Sequence, residues 1–182
     1  MTGPKKLAAC ALSSAIALTG CPAAPGRAPS IVPHLRPRRT PVATAMPVTR
    51  ATVAYVIDGD TIIVAARTRR TRVRLLGLDA PEATRRRECF GGRATAGLRR
   101  LLPTGTAILL AVDRHRADPY GRALGYVWRA DGVFVNRVLI RRGYATTLFL
   151  PPAGPYRGEF AAAEALARTT RAGLWRACRS SP

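Results

Sequence analysis

Acidic side chains are scarce in this chain. Ten aspartates and glutamates stand against thirty lysines and arginines, for a formal net charge of +20 at pH 7 over 182 residues. Such an excess favours polyanions, above all nucleic acid, through counterion release. The plain alternative is a soluble basic protein whose charge serves no partner. Lysine is nearly absent, at Lys5 and Lys6 only. A genome-composition bias explains that as well as function does, so it excludes nothing. There is no Cys/His spacing of the zinc-site kind and no internal repeat. His34 stands alone and reads as no ligand, and His115 reads as a loop residue before Asp118. The longest early apolar stretch, Leu7 to Leu18, is too short for a membrane-spanning helix. The apolar fraction of 47% nevertheless allows a real core, and the length suits one domain with extras.

Four of the ten acids fall in one stretch, Ile57 to Glu82, reading IDGDTIIVAARTRRTRVRLLGLDAPE. Asp58 and Asp60 flank a glycine, and Asp-Gly between apolar residues is a reversal signal. Thr61 to Val64 reads as a strand, Arg67 to Arg72 as a hairpin tip and Thr71 to Leu78 as the returning strand, stopped by Pro81. A hairpin brings its outer ends together, which sets Asp58 and Asp60 beside Asp79 and Glu82. Arg74 points toward them or away according to pleat parity. Carboxylates so gathered repel one another unless something positive sits among them, and a divalent cation with hard oxygen ligands is the simplest candidate. Read alone, Asp58 and Asp60 also suit a plain turn, Glu82 a cap, and Arg74 and Arg122 exposed surface positions.

IDGDT, RLLGLDAPE and then DPYGRALGYV at Asp118 to Val127 resemble the staphylococcal-nuclease-like (thermonuclease) family, in order and spacing, from about Ala51 to about Trp175. The resemblance implies a calcium-dependent phosphodiesterase that cuts DNA and RNA with little sequence preference and leaves 3′-phosphate ends. It implies Ca2+ on Asp60, Asp79 and the backbone carbonyl of Ala80, with Asp58 nearby. Glu82 is then the general base, and Arg74 and Arg122 grip the phosphate. Tyr120 matches a nucleotide-pocket position. Phe149 and Pro151 stand where the family's pocket has tyrosines, and Ala80 where threonine is common. Phe149 still offers a stacking face but no hydroxyl. The alternative is a non-catalytic OB-type lipoprotein that binds nucleic acid.

Residues 1–20 read as an export signal of the lipoprotein type, with Leu18-Thr19-Gly20-Cys21 resembling a lipobox and Cys21 as the lipid site. Ordinary cleavage and release is the alternative. The chain is thus expected to be exported, as a cell-surface lipoprotein or a secreted monomer, touching a membrane only through that lipid. Residues 21–49, rich in proline, alanine and arginine, read as a tether. Residues 50–178 form the globular domain and 179–182 a tail. Cys89 and Cys178 remain after processing and make a natural disulfide pair in an exported domain, unpaired thiols being the alternative.

Within the domain the pattern gives strands at Ala51 to Ile57, Thr106 to Val112 and Arg122 to Arg129 besides the hairpin, with a loop at Asp113 to Gly121. Helices are expected over Gly92 to Leu102, Val133 to Arg142 and Arg157 to Ala172, with Tyr144 to Leu150 extended. Pattern alone supports a mixed strand–helix domain. The family resemblance makes it α+β, mainly β: a five-stranded OB-type barrel flanked by about three helices.

Overall fold

A computed structural model describes residues 46–84, 87–149 and 154–178, with residues 113–117 described by their backbone. The export segment, Cys21, His34, most of the tether, Pro151 and the His115 side chain lie outside the described residues.

Strand β1 (Val48–Val56) starts where the proline-rich composition stops, two residues ahead of the expected boundary at Arg50. Its inward residues Ala51, Val53 and Val56 are buried. A bulge between Val53 and Tyr55 shifts its register against β2 (Thr61–Ala66) and adds the bend that a small barrel needs. The hairpin then turns over Arg67 and Thr68 alone, with Arg67 in the left-handed region at φ 53°, and β3 (Arg69–Leu75) pairs back from Ala66↔Arg69 to Thr61↔Arg74. The expected charged tip at Arg67 to Arg72 is therefore mostly strand. Arginine tolerates an edge that runs past the core, because ladder bonds do not require a buried face.

The returning strand ends at Leu75, short of the expected Leu78. Leu76 and Gly77 turn the chain out, and Gly77 sits at φ 78° with the Phe160 ring 2.5 Å from where a Cβ would stand, so only glycine fits. Beyond it, β4 (Leu78–Asp79) pairs with β7 (Thr146–Thr147), the part of the expected extended stretch at Tyr144 to Leu150 that forms a ladder. Helix α1 (Gly91–Leu101) buries Ala94, Leu98 and Leu101, at i, i+4 and i+7. Strand β5 (Ala107–Ala117) runs on through the segment expected to be a loop, pairing again at Ala117↔Ala123 with β6 (Ala123–Arg129). The five strands close as β1-β2-β3-β6-β5, with the β3–β6 seam parallel and the others antiparallel. This is the OB-type barrel expected.

Outside the barrel, α2 (Val135–Arg141) packs on β6 and α3 (Arg157–Thr169) packs on α2 and β7, and a four-residue turn of helix, α4 (Leu174–Ala177), follows. Tyr126, Trp128, Phe134, Tyr156 and Phe160 fill the space between them, with Trp128 stacked on Phe134 at 4.5 Å and Tyr156 edge-on to both Tyr126 and Phe134 at 4.8 Å. Trp128 and Tyr156 are thus core residues, and Tyr144 packs on Phe90. Trp175 is half-buried under the Arg168 guanidinium. Cys89 and Cys178 form a disulfide across 89 residues, with Cα atoms 5.9 Å apart. None of the helices among the described residues is long and apolar enough to cross a membrane.

The parallel seam is short, Val73–Leu75 against Ala123–Gly125. Asn136, fully buried on α2, pins it. Its Oδ1 accepts the Val127 N–H at 2.9 Å, and its Nδ2 donates to the Leu76 carbonyl at 2.9 Å and toward Gly125 at 3.4 Å. Asn136→Leu leaves the Val127 N–H and the Leu76 carbonyl unpaired in the interior, at about 1–3 kcal/mol each. The variant should lower the urea midpoint by an amount equivalent to about 2–5 kcal/mol, while an unchanged midpoint would remove Asn136 from the seam. Cys89→Ser with Cys178→Ser should cost about 2–5 kcal/mol in the same measurement.

Candidate active site

The turn Asp58-Gly59-Asp60 sits where β1 passes to β2. Asp58 Oδ1 accepts the Asp60 N–H at 3.2 Å, which fixes the turn. Gly59 lies against the chain it faces: a Cβ there would stand 2.6 Å from the Ala80 Cβ. That close approach lets the buried Asp60 carboxylate reach across the hairpin, where its Oδ2 accepts the Ala80 N–H at 3.0 Å. Ala80 is itself buried, so the small side chain there is matched by the absence of one at Gly59.

Register settles the direction of Arg74. It opposes Thr61 on β2 and alternates with buried Val73 and Leu75, so it lies on the outer face with the turn residues. Its Nη1 stands 2.7 Å from Asp60 Oδ2 and donates to the Leu78 carbonyl at 3.0 Å, and its Nη2 meets Asp79 Oδ1 at 2.6 Å. One guanidinium, with 13% of its side chain exposed, thus bridges the two aspartates. Asp60 Oδ1 in turn accepts the Thr61 hydroxyl at 3.0 Å, and Arg122 Nη1 points at the same hydroxyl from 3.5 Å.

Arg122 is held from the other side. Asp118-Pro119-Tyr120-Gly121 closes a turn through Gly121 N–H to the Asp118 carbonyl at 2.9 Å, as aspartate at the first place, proline at the second and glycine at the fourth favour. Asp118 Oδ1 accepts the Tyr120 and Arg122 N–H groups, both at 2.9 Å, and its Oδ2 pairs with Arg122 Nε. Desolvation alone would raise the Asp118 carboxyl. The Arg122 amide and guanidinium and the Tyr120 amide outweigh it and hold the group below the usual aspartate value. The Arg122 guanidinium also lies over the Tyr120 ring, 5.3 Å from its centre.

Arg74 and Arg122 open onto a cleft of about 440 Å³ between the β3–β4 turn, the Asp118 turn and the start of α3. Tyr120, 75% exposed, and Phe149 both line it, so the two expected substrate-binding residues share one opening. Sequence reasoning missed Asp118 and Thr61, which aim Arg122, and Arg157, whose guanidinium lies 5.6 Å from the centre of the Phe149 ring. The Asp-Pro-x-Gly signature with arginine next in line was the available signal for Asp118. Nothing local marks Arg157.

Glu82 stands apart from this network. Its N–H donates to Glu88 Oε2 at 2.9 Å and its carbonyl accepts the Glu88 N–H at 3.0 Å, while Gly91 presses on that carbonyl. Its carboxylate is exposed and forms no ion pair or hydrogen bond among the described residues. The four acids expected side by side therefore separate. Asp60 and Asp79 meet at Arg74 and Asp58 closes the turn beside them, while Glu82 bonds through its main chain to Glu88 instead. Among the described residues no three acidic, histidine or cysteine side chains gather at one point. The oxygen donors in reach of one another are two carboxylates and the adjoining main chain at Ala80. Those are hard donors of the kind calcium takes, and the two carboxylates, one buried and one exposed, already draw a cationic group between them.

Residues 72–177 match the family described as staphylococcal nuclease homologue. The sequence is 36% identical over 125 residues to the thermonuclease of Staphylococcus intermedius, covering 68% of this chain and 74% of that protein. It is 32% identical over 126 residues to the thermonuclease of Staphylococcus hyicus, covering 68% and 73%. Endonuclease YhcR of Bacillus subtilis (strain 168) is 34% identical over 134 residues, which is 68% of this chain and 11% of that much longer protein.

Burial raises the Asp60 carboxyl from 3.8 to about 7; Arg74 opposes the rise and the nearby Asp58 charge adds to it. A carboxyl whose pKa is higher folded than unfolded contributes stability below its unfolded value, and that contribution is lost as pH rises through the folded value. In the presence of a chelator, wild type should therefore lose stability relative to Asp60→Asn between about pH 4 and 7, by up to about 1.4 kcal/mol per pH unit. Thermal melts of the two proteins across that range measure the difference, and parallel curves would show an ordinary aspartate.

Proposed function

The chain belongs to the staphylococcal nuclease family, and from that membership we propose a calcium-dependent phosphodiesterase that hydrolyses DNA and RNA with little sequence specificity. The observation that carries the reading is the continuous path from Arg122 through Thr61 and Asp60 to Arg74 and Asp79, whose two arginines line one cleft with Tyr120 and Phe149. A phosphodiester resists hydrolysis because its own charge repels an incoming oxygen and more charge builds up during attack. The site answers with two guanidinium groups on one opening. Among the described residues Arg122 keeps both terminal nitrogens free of carboxylate, since Asp118 takes Nε and Nη1 faces the Thr61 hydroxyl. Arg74 spends its donors on Asp60 and Asp79, and turns to phosphate when those carboxylates have another cation to neutralise them.

Asp60, Asp79 and the Ala80 carbonyl are the residues that would hold Ca2+, with Asp58 shaping the field around them. The ion would add a third cationic centre beside the phosphate, next to the two guanidinium groups. Glu82 would orient and deprotonate the attacking water, from a loop whose backbone is fixed by Glu88 and Gly91. Water attacking with the 5′ oxygen leaving would give 5′-hydroxyl and 3′-phosphate ends, and Arg122 would assist the departing oxygen. Phe149 offers a face for a base without a hydroxyl for a terminal phosphate. Grip on strand ends should be weaker than cleavage of the interior.

The protein is further proposed to act outside the cytoplasm as a monomer, after removal of residues 1–20, with Cys21 carrying a lipid and the residues from there to the start of β1 as its tether. The disulfide between Cys89 and Cys178 supports an oxidising compartment. One observation favours the second reading, a non-catalytic lipoprotein that binds nucleic acid: the Glu82 carboxylate has no contact with the arginine pair.

Digestion of plasmid DNA and of RNA with calcium, and again with excess chelator, tests the choice. The hydrolase reading expects cutting with calcium, none with chelator, and 3′-phosphate ends that resist polymerase extension until a phosphatase removes them. Glu82→Gln and Arg122→Ala should each lower kcat by at least about a hundredfold with the melting temperature unchanged. Binding without cutting under any tested metal would favour the second reading.

A further inference from the structure

The face of the barrel that carries Arg74 continues away from the cleft. On a strand, residues two apart share a side, so Arg70, Arg72 and Arg74 line one face of β3 at intervals of about 6.7 Å. Their alternates Val73 and Leu75 are buried, whereas Arg70 and Arg72 are exposed. Register carries that face across two more strands. Arg72 opposes Ile63, which opposes Tyr55 on β1, and Arg70 opposes Ala65, which opposes Thr52. Tyr55 is 49% exposed, unusual for an aromatic on a small barrel.

Residues 48–56, 61–66 and 69–75 contain no aspartate or glutamate. Among the described residues Arg74, Arg122, Arg129, Arg137 and Arg168 have acidic partners, whereas Arg70 and Arg72 have none. A row of guanidinium groups on one strand face repels itself, and a polyanion laid along it relieves that repulsion. The spacing of the row is near that of successive phosphates in an extended strand. A half-exposed tyrosine two strands away gives a flat face on which a base can stack, the other half of what a single-strand groove requires.

We propose that Arg70 and Arg72, with Tyr55 beside them, form a track for single-stranded polynucleotide that extends the Arg74 cleft by about two nucleotides along β3. This rests on the hydrolase reading for what happens in the cleft, but the track itself is a matter of binding. It makes the preferred substrate a long, unpaired strand rather than a di- or trinucleotide. Duplex keeps its bases paired and withholds them from Tyr55.

The test uses the full chain in excess chelator, so that nothing is cut, with fluorescein-labelled thymidine 12-mer and 4-mer followed by anisotropy over a range of salt. For Arg70→Ala with Arg72→Ala, the 12-mer Kd should rise about tenfold or more at low salt. The slope of log affinity against log salt should become shallower by about 1.4, at about 0.7 for each single-strand phosphate that is no longer neutralised. The 4-mer should bind as to wild type within about twofold. Tyr55→Ala should weaken the 12-mer by about tenfold and leave its salt slope alone. The proposal is overturned by an unchanged slope, by equal losses for both lengths, or by no binding of the 12-mer to wild type. It is also overturned if the arginine variants lose binding only to phosphatidylserine vesicles, which would assign the row to a membrane surface. A chain that shows this length dependence yet never cuts with calcium would retain the track and lose the hydrolase. A chain that cuts but shows no length dependence would do the reverse.

Discussion

One guanidinium holds this molecule's working end together. Arg74 links a buried aspartate on the β1–β2 turn to an exposed one past the end of β3, while also tying down the Leu78 carbonyl. Taking such charges out of water is costly, and the arrangement persists because each is matched. Asp60 has Arg74, Thr61 and the Ala80 amide around it, and Arg74 has two carboxylates and a carbonyl. Balance in that group is incomplete, since burial still raises the Asp60 carboxyl toward neutrality. A site poised in this way accepts positive charge readily. That property links the fold's stability to the reaction proposed for it.

The hairpin and the barrel were legible in the sequence because they rest on local signals: Asp-Gly turns, alternating apolar residues, and a proline that ends the returning strand. Arg74's direction followed from parity once the register was known. Arg122 was legible as part of a turn motif, although its partner Asp118 went unnoticed as anything but a loop residue. The expected loop at Asp113 to Gly121 failed for a physical reason. Its charged residues looked solvated, yet β5 continues beyond the core, where strand pairing needs no apolar face.

Glu82 was the reverse case. Adjacency in sequence to Asp79 suggested adjacency in space, but Glu88 holds its main chain from six residues on and Gly91 packs against it, with only the neighbouring Cys89–Cys178 bond reaching from far along the chain. No local pattern encodes such a constraint. Asn136 was equally silent, a lone amide in an apolar helix whose three contacts lie on residues distant in sequence. The arginine-lined surface is also only half legible. The arginines of β3 are plain in the sequence, but their common face with Tyr55 depends on a bulge at Ala54 that composition does not announce.

The parallel seam between β3 and β6 has a consequence for synthesis. Arg74 takes its place with the first hairpin, whereas Arg122 reaches it only once Ala123–Gly125 meets Val73–Leu75. A nascent copy on the ribosome can form the first hairpin and both aspartates early. It cannot bring the second arginine to them until well over half of its length has emerged, so partial products lack the paired cations of the finished cleft.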